Sequence, residues 1–258
     1  MNNLQPIGLF DSGVGGISIW KDVINLLPTE DTIYLADSKN APYGQKSKEE
    51  IIALSCKNVE LLISMGCKLI IVACNTATTN AIKELRARYD IPFIGIEPAL
   101  KPAVKKSHTQ VIGILATQGT LSSELFANRV AEYKDTTIIE QVGLGIVDLI
   151  ESGQLESKKM TELLHEYIQP MIDRNIDYLV LGCTHYPFLI PQIKKFLPDT
   201  VTIIDSGAAV AKQTQKLLSE SGGLKGGSKG IATFYSNSDI SVMSELLDNA
   251  EKVQFKAF

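Results

Sequence analysis

LIIVACNT, residues 69–76, and YLVLGCTH, residues 178–185, share one plan: an apolar run, a small residue, a cysteine, and polar residues that open the next segment. The two stretches lie 109 residues apart. At a similar offset of 105, IGLF (7–10) resembles IGIL (112–115), and at 108 the pair Ile96-Glu97 resembles Ile204-Asp205. Three matches in the same order at nearly one offset point to an internal duplication, each half being a unit that recurs.

Working outward from these stretches, short Ile/Leu/Val runs alternate with amphipathic segments almost from end to end. That alternation is the βα rhythm of a parallel sheet, and near-continuous apolar strands indicate sheets covered on both faces. The pattern predicts strands over 7–10, 32–36, 69–73, 93–96, 111–116, 137–141, 178–182, 201–204 and 231–234. Helices are predicted after GVGG and over about 48–65, 78–89, 121–133, 158–173, 187–196 and 208–219. The fold expected is α/β: two similar doubly wound, mostly parallel lobes with a cleft between them. The glycine-rich segment 221–230, SGGLKGGSKG, reads as a flexible connector rather than a site.

The chain has 258 residues, 45% of them apolar and 21% charged, which is the balance of a globular protein with a sizeable core. A net charge of −4 provides no basic field for nucleic-acid phosphates or anionic membrane. The charge-free stretch 69–82 carries Asn and Thr and is too short for a membrane span. No secretory leader is readable at the N-terminus, and four cysteines without a CxxC pair are too few for a disulfide scaffold, so a reducing cytoplasm with free thiols is expected.

Cys74 and Cys183 each follow a strand and precede a helix, the position where open α/β sheets gather ligands and helix N-termini present free N–H groups. Such surroundings favour a thiolate. Cys56, inside a helical pattern, and Cys67, just ahead of a strand, read instead as core. The turn DSGVGG (11–16) lacks the third glycine of a dinucleotide fingerprint because Ser18 stands there, although Asp37 imitates the ribose-binding acid. The alternative is a tight turn whose N–H groups approach a carboxylate, with Asp11 as a site acid and Ser12 adding a hydroxyl. His185, two residues after Cys183, is placed as an acid/base neighbour for that thiol; the Cys-Thr-His spacing is too tight for one tetrahedral metal ion, so no metal is expected. His108 reads as solvated surface and His165 as a helix-face residue. Two thiols facing each other across a cleft have a specific use. Inverting a stereocentre through a planar carbanion needs one base to take a proton from one face while a second group returns one to the other.

Seven strings resemble the glutamate racemase family within the aspartate/glutamate racemase superfamily: IGLFDSGVGG (7–16), ADSKNAPYG (36–44), VACNTATTNA (72–81), IGIEPALKPAV (94–104), ILATQGT (114–120), LGCTHYPFL (181–189) and DSGAAVA (205–211). They run in order across about four fifths of the chain. The resemblance implies a cofactor-independent enzyme that interconverts L- and D-glutamate for peptidoglycan. In it Cys74 would deprotonate the D-isomer and Cys183 the L-isomer, with Asp11 beside the first thiol, His185 beside the second and Glu151 as a supporting acid. Ser12, Tyr43, Gly44, Asn75, Thr76, Thr117, Thr120 and Thr184 would bind substrate, and Pro42 would rigidify the turn presenting Tyr43. The two lobes would be residues 1–97 plus 208–258, and 98–207. Ser236-Asn237-Ser238 departs from the family's Thr-Ser-Gly, leaving the role of the segment beyond it open. The partner expected is a small-molecule substrate, glutamate; a homodimer stays open, with no residue pattern to decide it. Two other readings are an aspartate racemase of the same superfamily, and a dicarboxylate-binding protein in which both cysteines are merely packed.

Overall fold

The computed structural model describes residues 2–249 and 251–258. Its strands are β1 (Ile7–Asp11), β2 (Thr32–Ala36), β3 (Leu69–Val72), β4 (Phe93–Gly95), β5 (Val111–Ala116), β6 (Thr137–Val142), β7 (Tyr178–Gly182), β8 (Thr202–Ile204), β9 (Ala232–Ser236) and β10 (Val253–Phe255). They form two sheets, one in the order β10-β9-β2-β1-β3-β4 and one in the order β6-β5-β7-β8, and every pairing is parallel. The order β2-β1-β3-β4 in the first sheet is repeated as β6-β5-β7-β8 in the second. The repeat read from the sequence is therefore a repeat of topology, with β1 corresponding to β5 and β3 to β7. β1 and β3 are buried throughout, as near-continuous apolar strands covered on both faces require.

The helices are α1 (Ile17–Leu26), α2 (Lys48–Ser64), α3 (Asn75–Arg88), α4 (Leu100–Lys106), α5 (Gln118–Leu121), α6 (Glu124–Ala131), α7 (Ile146–Glu151), α8 (Lys158–Ile172), α9 (Ile190–Ile193), α10 (Gly207–Glu220) and α11 (Ser241–Leu246). α2 opens on a capping box, with Ser47 and Glu50 satisfying each other's free backbone N–H groups. α3 begins three residues earlier than its apolar pattern predicts because the Cys74 sulfur accepts from the Ala77 N–H and serves as its cap. The helix predicted over 121–133 is divided: Ser123 donates to the Thr120 carbonyl and caps α6 through the Phe126 N–H, ending one helix and starting the next. The helix predicted over 187–196 is a 3₁₀ turn, Tyr186–Leu189, followed by α9, with Pro187 and Pro191 limiting its hydrogen bonds. α4, α7 and α11 have six or seven residues each and β10 has three, too short for a periodic signal. Among the described residues no helix is long and apolar enough to cross a membrane.

Segment 221–230 is not the loose connector its glycines suggest. Lys68 and Glu30, both fully buried, form an ion pair at 2.6 Å, and Lys68 also donates to the Gly223 carbonyl at 2.8 Å. Glu30 accepts the Lys225 N–H at 2.7 Å, while the Lys225 ammonium pairs with Asp31 at 2.6 Å. The loop thus completes the solvation of a buried charge pair beside the strand ends opposite the cleft. Removing one partner strands the other charge in the core, at a cost of about 3–5 kcal/mol. Urea unfolding of Lys68→Met should show a loss of that order, and adding Glu30→Gln should return most of it.

Candidate active site

The order 2-1-3-4 places a topological switch point between β1 and β3, and again between β5 and β7, where helices leave toward opposite faces and a crevice opens at the carboxyl ends. In the first lobe Asp11 ends β1, Ser12 follows it and Cys74 follows β3; in the second, Thr117 follows β5 and Cys183 follows β7. Both switch points contribute to one narrow cavity lined by Ser12, Pro42, Tyr43, Gly44, Cys74, Asn75, Thr76, Thr117, Val147, Cys183, Thr184 and His185. The nucleotide reading also loses its acid, since Asp37 is buried with its carboxylate occupied by Tyr43, Asn40 and Asn237.

On the Cys74 side, the thiol donates to Ser12 Oγ at 3.7 Å. Asp11, fully buried, accepts the Gly16 N–H at 2.7 Å and the Thr184 hydroxyl at 3.4 Å. Burial raises its pKa from 3.8 to about 6, against the pull of the His185 charge and the Gly16 N–H. Cys74 departs from the thiolate expected at a helix N-terminus. Its desolvation, reinforced by the negative charge of Asp11, pushes the thiol well above its usual range and outweighs the Ala77 N–H and Ser12.

The Cys183 side is built differently. Its sulfur lies 3.7 Å from His185 Nδ1, and His185 Nε2 lies 2.6 Å from Glu151 Oε1. Burial works against the imidazolium, but hydrogen bonds and charge from Cys183 and Glu151 prevail and hold the ring protonated well above its ordinary range. Glu151, from α7, crosses to the first lobe: Oε1 accepts the Val14 N–H at 2.7 Å and Oε2 the Ser38 hydroxyl at 2.8 Å. A Cβ on Gly13 would collide with that carboxylate, and one on Gly15 with the His185 ring. These glycines let the DSGVGG turn close on the second lobe.

The remaining sequence candidates separate into those that face the cavity and those behind it. Asp11 and Glu151 stand behind the two thiols rather than in the lining. Thr120, fully buried, lies outside the lining and braces Thr76 and Thr117, with hydroxyl separations of 3.3 and 3.0 Å; Thr76 and Thr117 are 2.7 Å apart across the lobes. Tyr43 contributes to the wall, but its hydroxyl is committed to Asp37 and Asn58. Asn75 Nδ2 is buried without a hydrogen-bond partner. Outside the site, Cys56 and Cys67 are buried in the core, Cys67 being pushed up to about 12 by burial, while His108 and His165 are exposed. Sequence reasoning missed Val147, which sits on the six-residue α7, and gave Asn237 no part in the site.

For Asp11 the folded-state pKa is raised, so the protonated carboxyl favours folding below pH 3.8 and that advantage disappears as pH rises through about 6. The shift corresponds to about 3 kcal/mol. Asp11→Asn should flatten the fall in unfolding free energy between pH 4 and 6, read by urea denaturation against the parent.

A family model described as Asp/Glu/Hydantoin racemase matches residues 18–214. A glutamate racemase of Herpetosiphon aurantiacus is 48% identical over 83% of this chain and 85% of its own. One from Ralstonia pickettii is 44% identical over 96% of this chain and 90% of its own. The crystal structure of glutamate racemase from Francisella tularensis in complex with D-glutamate superposes with a TM-score of 0.86 at 29% identity, covering 99% of this chain and 98% of that one. Two cysteines at equivalent switch points of a duplicated fold, lining one shared cavity, accord with these likenesses, and the chain belongs to the Asp/Glu racemase family.

Proposed function

We propose that this enzyme converts L-glutamate to D-glutamate, and back, without a cofactor, supplying D-glutamate for peptidoglycan in the cytoplasm. The observation that carries the reading is the shared cavity: Cys74 from one lobe and Cys183 from the other line it, beside a buried Asn75 amide with no partner in the protein. An unpaired buried donor is costly unless a ligand accepts from it, and a substrate carboxylate does so. The relatives at 44–48% identity named glutamate racemase support glutamate over aspartate. The packed-cysteine reading is disfavoured because Cys74 and Cys183, though buried, both line the same cavity from opposite lobes. We take the lobes as residues 1–97 plus 208–258, and 98–207.

In this reading a thiolate at Cys183 removes the α-proton of L-glutamate, the C–H pair becoming the carbanion lone pair conjugated with the α-carboxylate. The Cys74 thiol then delivers its proton to the opposite face. One sulfur has gained a proton and the other has lost one, so the enzyme emerges set for the D-isomer. The high pKa of the Cys74 thiol suits its role as donor in this direction. His185 offers positive charge to a negative sulfur at Cys183, with Glu151 orienting the ring; Asp11 and Ser12 hold Cys74. Ser12, Asn75, Thr76, Thr117 and Thr184, with the Pro42–Gly44 wall, supply polar groups to the substrate, and Thr120 acts through Thr76 and Thr117.

Cys74→Ser and Cys183→Ser should each lower racemisation by about 10²–10⁴-fold while D-glutamate binding, measured calorimetrically, persists. In heavy water the parent enzyme should place deuterium on the α-carbon of product well before it appears in unreacted substrate. Racemisation within about tenfold of the parent in either single-cysteine variant, together with equal early labelling of substrate and product, would remove the two-thiol mechanism.

A further inference from the structure

We propose that Asn237 is a positioning residue for the substrate-facing turn 42–44, acting through Asp37 and Tyr43; the inference rests on the racemase reading above. Asn237 follows β9 at the carboxyl end of the first sheet, where its N–H donates to the Ala36 carbonyl at 3.3 Å. It is buried, and both ends of its amide are in use. Nδ2 donates to Asp37 Oδ1 at 2.5 Å and to the Phe258 carbonyl at 3.3 Å; Oδ1 accepts the Lys39 N–H at 2.9 Å. Asp37 Oδ2 in turn accepts the Tyr43 hydroxyl at 2.5 Å, and Asn58 Nδ2 donates to that same hydroxyl at 3.2 Å.

The donor and acceptor pattern selects an amide at 237. A carboxylate must be met by a donor and a backbone N–H by an acceptor, on opposite ends of one planar group. Aspartate would set two carboxylates against each other, and an apolar residue would take one of three donors from Asp37 and leave the Lys39 N–H without its acceptor. From this one side chain, two short paths reach the two halves of the site. Through Asp37 it fixes the ring of Tyr43, whose neighbours Pro42 and Gly44 line the cavity. Through Lys39 it holds the 3₁₀ turn Ser38–Asn40, from which Ser38 donates to Glu151, the partner of His185. The segment beyond Ser236 thus gains a role: Asn237, tied to the Phe258 carbonyl, ends on the site through Asp37.

Asn237→Asp changes one atom of the group and keeps the acceptor for Lys39. It adds a negative charge facing Asp37, in surroundings that also hold Tyr43, Cys74 and Asp11, with Lys39 as the adjacent exposed cation. Two carboxylates in contact retain one proton between them and shed it as pH rises. The KM for glutamate should therefore stay near the parent value at about pH 6 and rise by about tenfold at about pH 9, the size of effect expected from losing a charge-assisted hydrogen bond. The kcat should stay within about twofold, as for lost binding rather than lost chemistry. Asn237→Ala, which removes all three side-chain bonds without adding charge, should raise KM at every pH, and amide hydrogen exchange at residues 43–45 should quicken in both substrate-free variants. Unchanged KM and exchange in both variants would overturn the proposal, as would kcat, KM and melting temperature falling together independently of pH. If the parent chain fails to racemise glutamate, the racemase reading falls by itself, and exchange at residues 43–45 still decides whether Asn237 holds the turn.

Discussion

Glu151 reaches from the second lobe into the DSGVGG turn of the first, where its two oxygens accept the Val14 N–H and the Ser38 hydroxyl while one also meets His185 Nε2 at 2.6 Å. A mostly buried carboxylate is stable only when such partners replace its water, so the three bonds hold one another in place. They also join the lobes at the point where the charge of His185 is set. Loss of lobe closure would expose Glu151, weaken its hold on the imidazole and change the field at Cys183. Smaller contacts repeat the theme: Ser18 donates to the Thr184 carbonyl at 2.8 Å, Thr76 meets Thr117, and Asn80 donates to the Gly119 carbonyl at 2.9 Å. Closure and electrostatics are therefore one property of this molecule.

Duplication explains why the two cysteines meet and leaves open how they differ. The repeated order of four strands puts a sulfur at the end of β3 and of β7, giving the approximate symmetry that interconverting enantiomers of equal energy requires. The supporting groups break that symmetry. Cys74 is backed by a carboxylate and a hydroxyl, Cys183 by an imidazolium and the glutamate behind it. A scaffold shared by both halves positions the reacting atoms, and different residues on it give each atom its own surroundings.

Much of this was legible in the sequence because the signals were local. The apolar runs at 32–36, 111–116 and 178–182 are strands with those bounds, and the glycines of DSGVGG mark a turn that approaches carboxylates. Elements too short to show a period escaped, and α7 took Val147 with it. Long-range pairings escaped as well: Lys68 with Glu30 and Asn237 with Asp37 are 38 and 200 residues apart, and nothing in either neighbourhood announces the other. The thiol of Cys74 was misjudged for a related reason. A helix N-terminus is visible in sequence, whereas the depth of burial that outweighs it depends on the whole fold.

That burial gives the cavity its chemical character. Cys74 carries a proton held tightly by desolvation, Asn75 presents a donor without a partner, and Asp11, behind the Cys74 thiol, has a pKa raised to about 6. Each is an unfavourable feature in the folded chain, and each is improved by a ligand with an ammonium group and carboxylates. An ammonium near Asp11 and Cys74 favours their negative forms, because opposite charge lowers an acid's pKa where burial raised it. A carboxylate accepting from Asn75 satisfies the idle amide. In the proposed reaction, substrate binding therefore supplies the charge that makes Cys74 a competent base for the D-isomer. With no substrate in place, the same desolvation keeps that thiol protonated.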